Sequence, residues 1–148
     1  MAASDFTVFN IARLKLLDGT FDLDANAFKV ALTTTAQALD ATFAGSSSDC
    51  RYADLTAELP TANGYTAGGE TLTNVTLTRD GGTVSFDADD LSWTLTSSIT
   101  FRYGVIYASA LANAPLLGFF EAESGSSVTP VAGLLTFGWN ADGIFTLA

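Results

Sequence analysis

From Glu70 to Ala108 the chain reads ETLTNVTLTRDGGTVSFDADDLSWTLTSSITFRYGVIYA, alternating apolar and polar residues between turn signals through several successive strands. This pattern constrains the fold more than any other part of the chain, because alternation with a period of two is the mark of antiparallel strands with one face in a core. In its last segment Ile99, Phe101, Tyr103, Val105 and Tyr107 fall on one face, and Thr100, Arg102, Gly104 and Ile106 on the other. Such a strand is expected to bury one side.

The remaining elements follow from the same signals. A strand is expected over Ala27–Thr34, with Phe28, Val30 and Leu32 on one face, and others over Leu72–Arg79, Thr83–Ala88, Ser92–Leu95, Leu116–Ala122, Leu134–Trp139 and Ile144–Leu147. Asp80-Gly81-Gly82 and Ala141-Asp142-Gly143 read as hairpin turns between neighbours. At the N-terminus Phe6, Phe9, Ala12, Leu14 and Leu17 are spaced as on an amphipathic helix, with Ser4 or Asp5 as N-cap and Gly19 as the stop, although Thr7, Val8 and Ile11 also favour a strand. Between Thr35 and Tyr65 a Gly-Ser-Ser-Ser run, a Pro and an Asn-Gly pair announce a long excursion holding one short element, Tyr52–Leu59. Excursions of that length are often functional. The fold expected is mainly β: an antiparallel β sandwich, jelly-roll-like, in one domain over 1–148, with 1–19 as a short N-terminal helix or arm. A closed barrel is the alternative, since it buries alternate residues in the same way.

With 48% hydrophobic residues, the 148-residue chain has enough apolar surface for one core. Sixteen acidic against six basic residues give a net charge of −10, a field that repels nucleic acid, whose binding rests on Lys and Arg neutralising phosphates. No segment approaches the roughly 20 apolar residues that span a bilayer, and the N-terminus lacks a secretory pattern, so a leaderless soluble protein with no membrane partner is expected. Cys50 has neither a second Cys nor a His to work with, and reads as structural or incidental.

The chain holds no His, which removes the commonest general base and the commonest metal ligand. Asp22-Leu23-Asp24-Ala25-Asn26 matches the start of a calcium loop, but Ala27 and Thr33 stand where Gly and Glu are needed, so a solvated turn is expected. Asp87-Ala88-Asp89-Asp90 reads as an acidic turn within reach of Arg79 or Arg102. Glu58, Glu70, Glu121 and Glu123 are the carboxylates from which a glycosidase pair would be drawn, and no spacing singles out a pair. Asn74-Val75-Thr76 has the form of a glycosylation sequon, and Gly68-Gly69 and Gly81-Gly82 read as turns. No catalytic, cofactor or metal site is expected, and the chain reads as a surface, not an enzyme.

Trp93, Phe101, Tyr103, Tyr107, Phe119, Phe137 and Trp139 occupy alternating strand positions and are expected in the core. Phe6 and Phe9 lie in the segment outside the recognisable sandwich, and Phe120 lies opposite the Leu117 and Phe119 face. These three, with Ile11 and Leu14, are the residues expected to meet a partner chain.

The ordered series FKVALTTT, NGYTAGGETLTNVTLT, VSFDADDLSWTL, ITFRYGVIYAS, PLLGFFE and LLTFGWNADGIFTLA, running from Phe28 to the C-terminus, resembles small virion proteins of tailed bacteriophages. It is most similar to the head decoration, or cement, proteins with jelly-roll-like folds. The resemblance implies a non-enzymatic protein on the outer surface of the capsid, bridging neighbouring major capsid proteins as a dimer or trimer. A tail-associated or receptor- and glycan-binding sandwich of the virion is the alternative.

Overall fold

The longest ladder joins β2 (Phe28–Thr33) to β7 (Tyr103–Ala108), six residues against six. Both are rich in the branched and aromatic side chains that suit a pleated surface. The computed structural model describes residues 1–3, 5–45 and 48–148. Among these residues the other strands are β1 (Thr7–Val8), β3 (Glu70–Thr71), β4 (Thr76–Asp80), β5 (Thr83–Asp87), β6 (Leu91–Leu95), β8 (Leu116–Glu121), β9 (Gly133–Phe137) and β10 (Phe145–Leu147). One α-helix, α1 (Asn10–Leu17), and a 3-10 turn at Tyr52–Asp54 complete the elements. The strands form a central sheet in the order β1-β8-β7-β2-β3, a three-stranded sheet β10-β5-β4 and a two-stranded sheet β6-β9, paired antiparallel throughout.

Register shows which side chains meet. Phe28, Val30 and Leu32 share one face of the central sheet with Ile106, Gly104 and Phe120. That face is covered by both smaller sheets: Phe28 meets Phe86 of β5 edge to face, and Phe120 meets Phe137 of β9 in the same way. Two layers of antiparallel strands pressed together are the sandwich expected from the sequence. The division into sheets of five, three and two differs from the two four-stranded sheets of a regular jelly roll. The turn Ala141–Gly143 is not a hairpin between neighbours, since it passes the chain from β9, which pairs with β6, to β10, which pairs with β5. The Gly81-Gly82 turn does join β4 to β5.

The second face of the central sheet is covered as well. Every residue of β7 is buried, so the expectation of one buried side is too modest. The cover is the Thr35–Tyr65 excursion together with α1: Phe119 packs against Phe9 at 5.4 Å, Phe9 against Phe43 at 5.8 Å, and Tyr107 stacks on Tyr52 at 4.5 Å. An excursion that reads as loop chemistry thus forms a third layer.

The N-terminal segment is not a separate arm. Thr7 and Val8 extend the central sheet as β1 beside Phe119 and Gly118, and Phe9 and Ala12 have no exposed surface. The helix begins at Asn10 with Phe9 in the N-cap position, so Asp5 is not its cap, and Ser4 lies outside the described residues. Gly19, at φ +80°, ends it as expected. Because the helix starts one turn later than the spacing suggests, Ala12 takes the inner face, and Leu14 and Leu17 point outward.

Candidate functional site

Two features stand out, one polar and internal, the other apolar and open. The polar one gathers around Glu58, where the chain returns beside β2: Leu59 donates its amide to the Leu32 carbonyl, and Glu58 bridges Thr33. The Glu58 carboxylate accepts hydrogen bonds from the phenols of Tyr52 and Tyr65, the latter at 2.7 Å, and from the Gly68 amide at 2.6 Å. Tyr107 donates to the Gly68 carbonyl at 2.7 Å. A half-buried carboxylate with three donors is well satisfied and draws the excursion together, while the Tyr107 bond to Gly68 and the Leu32 amide on the Tyr65 hydroxyl tie the cluster to the central sheet. Burial, then the Glu58 charge, pushes the Tyr107 phenol up to about 12; Tyr52 is also raised, by burial and then Glu58, and Tyr65 by burial and, against the opposing Leu32 amide, by Glu58. Phenols held protonated in this way are donors, and the network works as a clasp.

Gly69 completes the clasp. At φ +70° its backbone lies against Val30, where an added Cβ would overlap the carbonyl. A second tie, from α1, is the pair of ion bridges on Asp49: Lys15 at 2.7 Å and Arg51 at 2.8 Å. These cations hold the Asp49 carboxyl below its ordinary value, Lys15 contributing most.

The apolar feature is a groove of about 550 Å³ between α1 and β10, lined by Phe6, Val8, Leu16, Leu17, Phe145 and Leu147, with Arg13 at its wall. It continues onto the three-stranded sheet through Leu77 and Val84. Register explains why that sheet has an apolar side. Leu77, Phe86 and Phe145 are matched across the strands, as are Arg79, Val84 and Leu147, and these two rows face inward; Thr78, Ser85 and Thr146 face outward. The inner face overhangs the core, leaving Leu147 51% and Leu17 88% exposed. A second exposed apolar pair, Val131 and Leu134, lies on and before β9.

Of the residues expected to meet a partner, the structure buries Phe9 and Phe120 completely. Neither is a surface group. Phe120 fills the space above Gly104, directly opposite on β7, and also meets Trp139 edge to face. Phe6 and Ile11 are half-buried, Phe6 stacking on Phe145 at 5.6 Å, and only Leu14 stands in solvent, 64% exposed. The groove residues Leu17 and Leu147 were not among those expected to meet a partner, because Leu17 reads as part of a helix's apolar face and Leu147 as the end of a strand.

Each acidic cluster holds a carboxylate that accepts hydrogen bonds close by. Asp22 accepts the amides of Asp24 and Ala25, and Asn26 accepts that of Asp22. Asp89 accepts from Thr73 and Asn74, while Arg102 pairs with Glu121 at 2.9 Å and Arg79 turns to the Gly81 carbonyl, so neither arginine joins the Asp87–Asp90 turn. Cys50 is buried in the excursion layer, and burial pushes its thiol up to about 12. Among the described residues no helix is long and apolar enough to cross a membrane. Set against protein-family models, curated proteins and solved structures, the chain matches none of them.

Proposed function

We propose that this protein is a non-enzymatic decoration protein of a tailed-phage capsid, binding the outside of the assembled head and bridging major capsid proteins. The observation that carries the reading is the surface. On a strongly acidic chain, large apolar side chains stand in solvent in two separate places, the α1–β10 groove and the Val131–Leu134 pair. Apolar surface left open on an otherwise well-packed domain marks contact with another protein. The resemblance of the ordered strand motifs to cement proteins supplies the identity of that partner. Acidic character supports it too, because the field disfavours packaged nucleic acid and leaves the outer shell as the place to bind.

Function on this reading is mechanical. Each copy adds contacts between shell subunits that must be lost before they separate, and weak contacts repeated over a lattice add up through multivalency. The clasp around Glu58 supports the role by fixing the longest loop to the sheet, so that little ordering entropy is spent on binding. The test is addition of purified protein to undecorated heads. Saturable binding with delayed rupture on heating is expected; binding to glycans with none to heads would assign the protein to the receptor-binding class instead.

A further inference from the structure

We propose that the groove between α1 and β10 takes an extended segment of the major capsid protein, apolar at alternate positions and bearing lysine or arginine at its ends, laid as an added strand beside β10. The inference rests on the shell-binding reading for the source of the segment; the chemistry of the segment is set by the groove.

The first observation is a pair of open edges on one groove. β1 is the outermost strand of the central sheet and β10 that of the three-stranded sheet, so among the described residues each pairs on one side only. Both strands line the groove. An unpaired edge offers backbone donors and acceptors, and natural edges are commonly blunted by charge, proline or a bulge. Phe-Thr-Leu in β10 and Thr-Val in β1 carry neither charge nor proline. A segment that adds a strand to such an edge gains main-chain hydrogen bonds, and its alternate side chains fill the space beneath.

The second observation is the composition of that space. Phe145 and Leu147 face inward and line the groove with Leu16 and Leu17, while Thr146 faces outward. Leu17 and Leu147 are exposed. A segment that continues the alternation of β10 sets apolar side chains over these leucines and polar ones on the side of Thr146.

The third observation is charge, and it selects the occupant. Three carboxylates and one guanidinium line the groove and the hollows that continue it: Asp5 and Asp142 beside Phe145, Asp22 beside Leu17 and Leu147, and Arg13 in the wall. None of the three carboxylates joins an ion pair among the described residues, and Asp5 and Asp142 are exposed. Arg79 does not change this balance, since it lies on β4, two strands from β10, and turns to the Gly81 carbonyl. The chain as a whole carries −10. A cationic segment is attracted to such a rim, and a second copy of the chain is repelled by it.

The test is titration of the isotope-labelled full chain with two end-blocked synthetic peptides, Lys-Val-Thr-Val-Thr-Val-Lys and its twin with Glu at both ends, followed by amide NMR shifts up to millimolar peptide. The lysine peptide should shift β1 and β10 saturably, on the order of tenfold more tightly than the glutamate peptide, and more weakly as salt is raised. Asp5→Lys combined with Asp142→Lys should reverse the preference at an unchanged thermal midpoint. Should that variant lose its fold, the two peptides on the unmodified chain decide. No saturable shift at β10 with the lysine peptide, equal affinity for the two peptides, or a dimeric mass that Leu17→Asp abolishes would each overturn the proposal. Undecorated heads separate it from the reading on which it rests. Head binding that the folded double variant retains in full overturns the inference alone; a chain that takes the lysine peptide and no heads overturns the shell-binding reading alone.

Discussion

The Tyr65 phenol donates to the Glu58 carboxylate at 2.7 Å and accepts the Leu32 amide at 3.0 Å, so one hydroxyl joins the excursion layer to the central strand β2. Tyr65→Phe would leave the buried Leu32 amide without its partner and remove one donor from Glu58. Unmade hydrogen bonds of this kind cost about 1–3 kcal/mol. A denaturant titration should show that loss with an unchanged slope, and a loss near zero would mean that the clasp does not hold the layers together.

Alkaline stability should report the same cluster. Tyr107, Tyr52 and Tyr65 have raised folded-state values against an ordinary 10, so the native chain holds protons that the unfolded chain gives up. The sign follows: the stabilisation is complete below pH 10 and is lost progressively as pH rises from there through the folded values, that of Tyr107 being about 12. The thermal midpoint should fall steeply from pH 10 upward, and Tyr107→Phe should make that fall shallower. An identical slope in the variant would remove Tyr107 from the account.

Phe9 belongs to the core, between Phe43 and Phe119, and its truncation should act on the fold of the single chain. Phe9→Ala is expected to cost about 3–5 kcal/mol, the usual range for a buried phenylalanine. Phe6→Ala, at a half-buried position, should cost clearly less. Thermal melts of both variants check the order, and a Phe9→Ala protein with an unchanged midpoint would return this residue to the surface.

Gly104 is fixed by the ring above it. An added Cβ would overlap Phe120, which is packed on its other sides by Phe137 and Trp139 and has little room to retreat. Gly104→Ala should therefore destabilise by about 1–3 kcal/mol through overpacking. Adding Phe120→Leu should recover part of the loss, a coupling that a double-mutant cycle measures directly. Strict additivity would contradict the glycine-ring pair.

Strand periodicity was legible wherever one face met solvent, as in β6, where Leu91, Trp93 and Leu95 are buried and Ser92 and Thr94 are exposed. It was least informative for β7 and β8, whose second faces are covered by a segment rich in turn residues; nothing local in Tyr52 or Glu58 announces that they meet Tyr65 and Tyr107. The burial of Phe9 and Phe120 was hidden for a related reason. Each is apolar in a place where alternation alone implies solvent, and only the third layer over Phe9 and β9 over Phe120 make those positions interior. The aromatic residues at regular strand positions, from Trp93 to Phe137, are in the core as their spacing implied.

The proposed place on a phage head is tested most directly by cryo-electron microscopy of heads assembled with this protein. Density for the sandwich is expected at symmetry-related positions on the outer face of the head, each copy touching more than one capsid subunit through exposed apolar side chains. Density confined to the tail, or heads that lack the protein at every such position, would contradict that place.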